Sequence, residues 1–300
     1  MGDRRVPRAE DGLAPGRPVT VPVAGVQLTL RQWGPNNGAP LVYWHGLNPF
    51  GALELNEAGP QWARAGFRVL AVAAPGIADS DSFRDLRAYR PTGLADVVTA
   101  AADELGLDRF TYVGWSWGAS IGVHVAARHP ERVQALILLD AGHTDIPGDP
   151  SQPLEEILGG LSAQQERYRF ADWEAFFTAA RETRPRWRPA LENRLRAGMH
   201  EVEGDIVARS DRRAAAAAWH GLLQEQPSTT HAALGRTGLP VLLVLATGND
   251  TSEELERFRA AVPQVETRTI ESGHDLLADA PEETIVAVSS WLRSTVVGPH

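Results

Sequence analysis

Residues 109–122 read Arg109-Phe110-Thr111-Tyr112-Val113-Gly114-Trp115-Ser116-Trp117-Gly118-Ala119-Ser120-Ile121-Gly122. The first five are β-branched and aromatic, the pattern of a short buried strand. From Ala119 a helical rhythm of small and apolar residues runs until His129-Pro130 ends it. Between the two lies a serine with glycine two positions away on either side. A sharp strand-to-helix turn needs that spacing, because a side chain at either glycine would collide with the neighbouring strand or helix. Such a turn lifts the hydroxyl of Ser116 above the sheet and aims the N–H of Trp117 the same way. Ser116 is therefore the candidate nucleophile.

Composition narrows what such a serine can be part of. The chain has 300 residues, 43% of them apolar, enough for one large α/β core carrying an insertion. The net charge of −9 comes with no basic stripe, which argues against nucleic acid. There is no apolar run of membrane-spanning length, and the first residues lack the apolar stretch of a signal peptide, so a cytoplasmic protein without membrane association is expected. The chain has no cysteine, which excludes disulfides, thiolate zinc sites and a cysteine nucleophile. All 29 basic residues are arginine, so Schiff-base and Ser–Lys chemistry are excluded too.

Outward from the turn, further apolar strands are expected at residues 40–44, 67–72, 133–139, 240–245 and 264–270, with an opening hairpin at residues 19–30. Helices are expected at residues 57–65 and 93–105 and from Pro281 to Trp291. Strands rich in Val, Ile and Leu separated by helices predict a mostly parallel sheet covered on both faces. Residues 1–18, rich in Pro, Gly and Arg, read as a disordered tail. The alternation breaks over residues 145–235, which are helix-like and aromatic (Tyr168, Phe170, Trp173, Phe176, Phe177, Trp187, Trp219). They predict a helical cap over the carboxyl edge of the sheet, inserted into a core of residues 19–144 and 236–300. The interleaved Arg and Glu of residues 181–201 read as a solvated face.

A serine hydroxyl needs a base. Among the nine histidines, His274 follows the last strand in a Gly273-His274-Asp275 loop and can reach over the sheet edge. His129 and His231 read as surface residues, and His200 and His220 as part of the cap. Negative charge developing on a carbonyl oxygen needs preorganised donors. The N–H of Trp117 is one, and the N–H of Leu47, after His45-Gly46, is the second. His45, Phe50, Trp115, Trp173 and Trp219 are expected to border the substrate, with His45 shaping the loop rather than reacting.

In residues 114–118, His45-Gly46 and Gly273-His274, three motifs in the expected order, the chain resembles the α/β-hydrolase superfamily from about residue 19 to residue 294. The resemblance implies that fold, with a serine nucleophile and a cap. A fourth motif of the superfamily survives in part at residues 73–80, departing from the pattern at Ala73 and Ala78. Its usual acid position follows the strand at 241–245, where Asp250 lies one residue late. Asp140, ending the strand at 133–139, resembles branches that take the acid there, and is preferred with Asp250 as the alternative. The implied activity is hydrolysis of a carboxylic ester or lactone of a mostly apolar small molecule, with no cofactor and no metal. Carbon–carbon bond hydrolysis and cofactor-free perhydrolysis would use the same triad. A non-catalytic ligand-binding protein on this fold is the rival of another class, and it would need neither the elbow nor the Ser–His pair. The oligomeric state is left open.

Overall fold

The computed structural model describes residues 16–167, 169–184, 186–247 and 252–297. Strands β1 (Arg17–Val23) and β2 (Val26–Trp33) form an antiparallel hairpin. Its turn residues Ala24 and Gly25 both have positive φ, 50° and 83°, the backbone twist that a two-residue hairpin requires. Arg17 and Pro18, expected in the tail, already pair with Gln32 and Arg31; residues 1–15 lie outside the described residues. Then follow β3 (Ala39–Trp44), α1 (Ala58–Arg64), β4 (Phe67–Val72), α2 (Pro91–Glu104), β5 (Phe110–Trp115), α3 (Trp117–Arg128) and β6 (Val133–Leu139).

An inserted segment comes next: α4 (Leu154–Arg167), α5 (Trp173–Glu182), α6 (Pro189–Ala197), β7 (Met199–Val202), β8 (Asp205–Ala208) and α7 (Arg212–Gln224). The chain returns through α8 (Ser228–Thr237), β9 (Val241–Ala246), α9 (Ser252–Ala261), β10 (Val265–Ile270), α10 (Leu276–Asp279) and α11 (Pro281–Leu292).

Eight strands form one sheet in the order β1-β2-β4-β3-β5-β6-β9-β10, parallel from β4 to β10. Alternate residues of the central strands feed two cores. Trp44, Val72, Tyr112 and Leu138 face α2, α3 and α8, whereas Tyr43, Ala71, Val113 and Ile137 face α1 and α11. Burial on both faces is why these strands are continuously apolar rather than alternating.

Two expectations about the insertion are corrected. It is not wholly helical, because β7 and β8 pair as a small antiparallel sheet whose turn, Glu203-Gly204, has positive φ at both residues. It also ends earlier than residue 235: α8 packs on α3 and α9 and so belongs with the sheet. His231, on α8, is accordingly not a surface residue. It is buried, its Nε2 is 2.8 Å from the Gly142 carbonyl, and its ring meets Phe258 edge-on. The insertion has two apolar lobes. One combines Phe176, Phe177, Leu191, Leu195, Met199 and Ile206, and the other packs α4 on α7 around Ile157, Ala216 and Leu223.

Candidate active site

Ser116 sits between β5 and α3 with φ 52° and ψ −115°, a conformation that L residues rarely adopt. The flanking glycines explain how it is tolerated. A Cβ at Gly114 would come within 2.2 Å of the Gly118 carbonyl oxygen, and one at Gly118 within 2.1 Å of the Trp44 carbonyl oxygen. The turn can therefore close only without those side chains. It leaves Ser116 half-buried at the carboxyl edge of the sheet.

His274 comes over that edge from the loop after β10. Its Nε2 lies 2.9 Å from Ser116 Oγ and its Nδ1 2.7 Å from Asp140 Oδ2. Asp140 ends β6, beside the elbow strand, with its side chain fully buried. Its second oxygen accepts the N–H of Ala246 at the end of β9 at 2.7 Å, and its own N–H donates to Val244 O at 2.8 Å. Sheet order brings these groups together: β6 lies between β5, which carries the elbow, and β9, so the residue that follows β6 stands beside the elbow and bonds to the end of β9. Asp250, the alternative acid, lies outside the described residues.

Trp117, as the first residue of α3, carries an N–H with no intrahelical acceptor. Its indole does not reach the substrate region; it packs at 5.9 Å from Trp44 and 5.8 Å from His45, in the core. Leu47 lines the cavity described below, but His45 does not, which corrects the expectation that it borders substrate. It is completely buried, and Nε2 accepts the Ala74 N–H at 2.9 Å, which leaves Nδ1 to donate to Gly46 O at 2.6 Å. Burial pushes its pKa down to about 4, so the ring stays neutral and acts as a post beneath the loop.

Above Ser116 and His274 opens a cavity of about 940 Å³, walled by Leu47, Phe50, Ile77 and Trp115 from the core and by both lobes of the insertion. Of the two cap tryptophans expected to border it, Trp219 does. Trp173 does not: it stacks on Phe177 at 5.8 Å and lies under the Arg196 guanidinium at 4.5 Å. Trp115 serves twice, lining the cavity while its Nε1–H donates to the His274 carbonyl at 2.8 Å.

Behind the loop at 46–50 lies a set of buried ionisable groups that no local motif in the sequence marks. Glu54 lies between two leucines in the 3-10 turn Gly51–Leu55 and accepts from Tyr43 Oη at 2.5 Å, Gly46 N at 3.3 Å and the side-chain amide of Asn48. Arg194 of α6 reaches Asp275 at 2.8 Å and Glu54 at 3.5 Å. Burial, with Asp275 nearby, pushes Glu54 up to about 7 against the pull of Arg194. Burial also works against the Arg194 charge, but the two carboxylates more than offset it, and its pKa is raised. The one signal in the sequence was a carboxylate isolated in an apolar stretch. The Arg residues of 181–201 are not a uniformly solvated face either: Arg194 is buried and Arg188 pairs with Glu57 of the core, while Arg186 meets Glu283 in an exposed pair.

A family profile described as alpha/beta hydrolase fold matches residues 39–281. A protein of Mycobacterium phage D29 named for non-heme haloperoxidase activity is 39% identical over 109 residues, covering 35% of this chain and 36% of that protein. A 2-hydroxy-6-oxononadienedioate/2-hydroxy-6-oxononatrienedioate hydrolase of Burkholderia vietnamiensis is 34% identical over 131 residues, 43% of this chain and 44% of that one. The matched stretches thus span less than half the length of these relatives. Among solved structures, E-2-(acetamidomethylene)succinate hydrolase superposes with a TM-score of 0.73 at 21% identity, covering 92% of this chain and 99% of that one. With the parallel sheet, the elbow after β5 and a profile match from β3 to the start of α11, the chain belongs to the α/β-hydrolase fold family.

Proposed function

We propose that the protein is a serine hydrolase that cleaves a carboxylic ester or lactone of a mostly apolar small molecule through an acyl-enzyme. The observation that carries this reading is the continuous chain of hydrogen bonds from Ser116 Oγ through both His274 nitrogens to Asp140, at 2.9 and 2.7 Å. Nucleophile, base and orienting acid are within the reach that proton transfer needs. His274 Nε2 takes the Ser116 proton as Oγ bonds to the carbonyl carbon. The resulting oxyanion rests on the N–H groups of Leu47 and Trp117. Collapse breaks the bond to the leaving oxygen, which receives the proton from His274. Water then repeats the sequence on the acyl-enzyme, releasing the acid and restoring Ser116. Asp140 keeps the proton of neutral His274 on Nδ1 and stabilises the imidazolium that forms.

The cavity of about 940 Å³ and its apolar lining favour a middle-sized substrate. A second reading, hydrolysis of a carbon–carbon bond, is favoured by the similarity to the Burkholderia enzyme, whose named substrate is an oxo-dienedioate with no ester to cleave. A fluorophosphonate probe tests the shared chemistry: mass spectrometry should find the adduct on Ser116 and none on the Ser116→Ala variant. A chain left unlabelled at Ser116 would favour the ligand-binding reading over the hydrolase. Rates on a panel of esters, lactones and vinylogous diketones then separate the two readings.

A further inference from the structure

Arg186 and Arg188 already dock the cap on the core at its rim, so Arg194 is not needed for that. Its side chain is only 4% exposed and its partners Glu54 and Asp275 are 0% and 8% exposed. Taking a guanidinium and two carboxyl groups out of water is costly, and a well-packed apolar cluster would hold two layers together at least as well. What distinguishes this cluster is where its carboxylates lead.

Glu54 holds the N–H of Gly46 and the side chain of Asn48, the residues immediately before and after Leu47. Asp275 immediately follows His274; one of its oxygens caps α10 by accepting the Ala278 N–H at 3.1 Å, and both accept from the Arg194 guanidinium, at 3.3 and 2.8 Å. The same guanidinium lies 5.3 Å from the Phe50 ring and 5.9 Å from the Trp115 ring, the indole that donates to the His274 carbonyl. One cap side chain therefore touches the oxyanion loop through Glu54 and Phe50, and the histidine loop through Asp275 and Trp115.

We propose that Arg194 and Glu54 are positioning residues: they tie the Leu47 loop and the His274 loop to a single guanidinium, so that the two halves of the catalytic site acquire their mutual geometry only when α6 is seated on the core. The planar fork of arginine suits this task, since it serves two carboxylates at once, which the point charge of a lysine does not. Seating of the cap and assembly of the site become one event. The inference rests on the serine-hydrolase reading, in which Leu47 supplies an oxyanion donor and His274 the base.

The test uses the whole chain, a small acetate ester that makes little contact with the cap, and a fluorophosphonate. Misplacing a donor and a base by a fraction of an ångström is expected to slow Ser116 labelling and kcat of Arg194→Ala by about 30-fold or more, and those of Glu54→Gln by about tenfold, with KM for the small ester within about threefold of wild type. Arg194→Lys should recover little. Arg196→Ala, on the same helix and of the same charge, should label normally. A purely structural role would lower the melting temperature but leave the labelling rate of the folded protein unchanged. Should Arg194→Ala lose its cooperative melt, the isosteric Glu54→Gln carries the test. Wild-type labelling with folded variants that label within about threefold of it would overturn the bridge and leave the hydrolase standing. A wild-type chain that does not label at Ser116 would overturn both.

Discussion

A carboxylate at the end of an apolar strand must find donors, and Asp140 has one from each side: His274 on one oxygen, the Ala246 N–H on the other. In Asp140→Asn the amide oxygen can still accept from Ala246, so the fold should persist. The amide nitrogen would then face His274, favouring the wrong tautomer. We expect turnover to fall about 10³–10⁴-fold with little change in circular dichroism; near-native rates would remove Asp140 from the proposed triad. His45 and Glu54 make opposite contributions to the pH dependence of stability. His45, lowered to about 4, binds fewer protons folded than unfolded, so its contribution to stability is present above about 6.5 and is lost as pH falls towards 4. Glu54, raised to about 7, binds more protons folded than unfolded between about 4.5 and 7, so its contribution falls as pH rises through that window. Relative to wild type, Glu54→Gln should therefore gain stability as pH rises from 4.5 to 7, measured by urea unfolding at each pH. A flat or falling difference would contradict the raised carboxyl. Ser116 and His274 were legible because each sits in a local glycine pattern. Arg194 was not, because its partners Glu54 and Asp275 are remote in sequence, and the burial of Glu54 follows from the cap helix that covers it.

At the scale of elements, the strands follow their apolar runs closely, while turns and lobes carry the departures. Ala24 holds φ 50° in the first hairpin, a position that asparagine occupies more readily. Ala24→Asn should raise stability by about 0.5–1 kcal/mol, read as a shift in the urea midpoint at constant m. The two cap lobes separate two tryptophans that looked equivalent in the sequence. Trp219 lines the cavity, whereas Trp173 is stacked against Phe177 and Arg196. Trp219→Ala should change the ratio of kcat/KM for a bulky over a small ester by about tenfold. Trp173→Ala should leave that ratio alone and cost about 1–3 kcal/mol of stability. Equal effects of the two substitutions on both substrates would mean that neither tryptophan selects substrate.

Across the whole molecule, the cap meets the core through arginines that reach carboxylates: Arg184 to Asp275 and Asp279, Arg186 to Glu283, Arg188 to Glu57, Arg194 to Glu54 and Asp275, and Arg209 to Asp79. Arg188 is the most fully engaged at the rim. It makes a fork to both Glu57 oxygens and donates to the carbonyls of Leu277 and Ala278. Arg188→Ala should therefore cost about 2 kcal/mol, read from chemical denaturation, because it strands a half-buried carboxylate as well as losing its own bonds. Arg186→Ala, at an exposed pair, should cost less than about 1 kcal/mol.

The sequence by itself determined what neighbours within a few residues can encode. The continuous apolar strands, the serine held between Gly114 and Gly118 and the histidine after the last strand are all patterns of local period and local sterics. Tertiary structure alone decided what depends on strand order and on the direction a side chain takes from its helix. Asp140 meets His274, 134 residues away, because β6 lies between β5 and β9. Arg194 turns inward to two carboxylates while Arg196, two residues on, lies across the Trp173 ring, because successive helix positions separated by two face different ways. Polar residues of the same type are interchangeable in a linear pattern. Burial distinguishes them, since a charge is kept in the interior only where its partners have been brought to it.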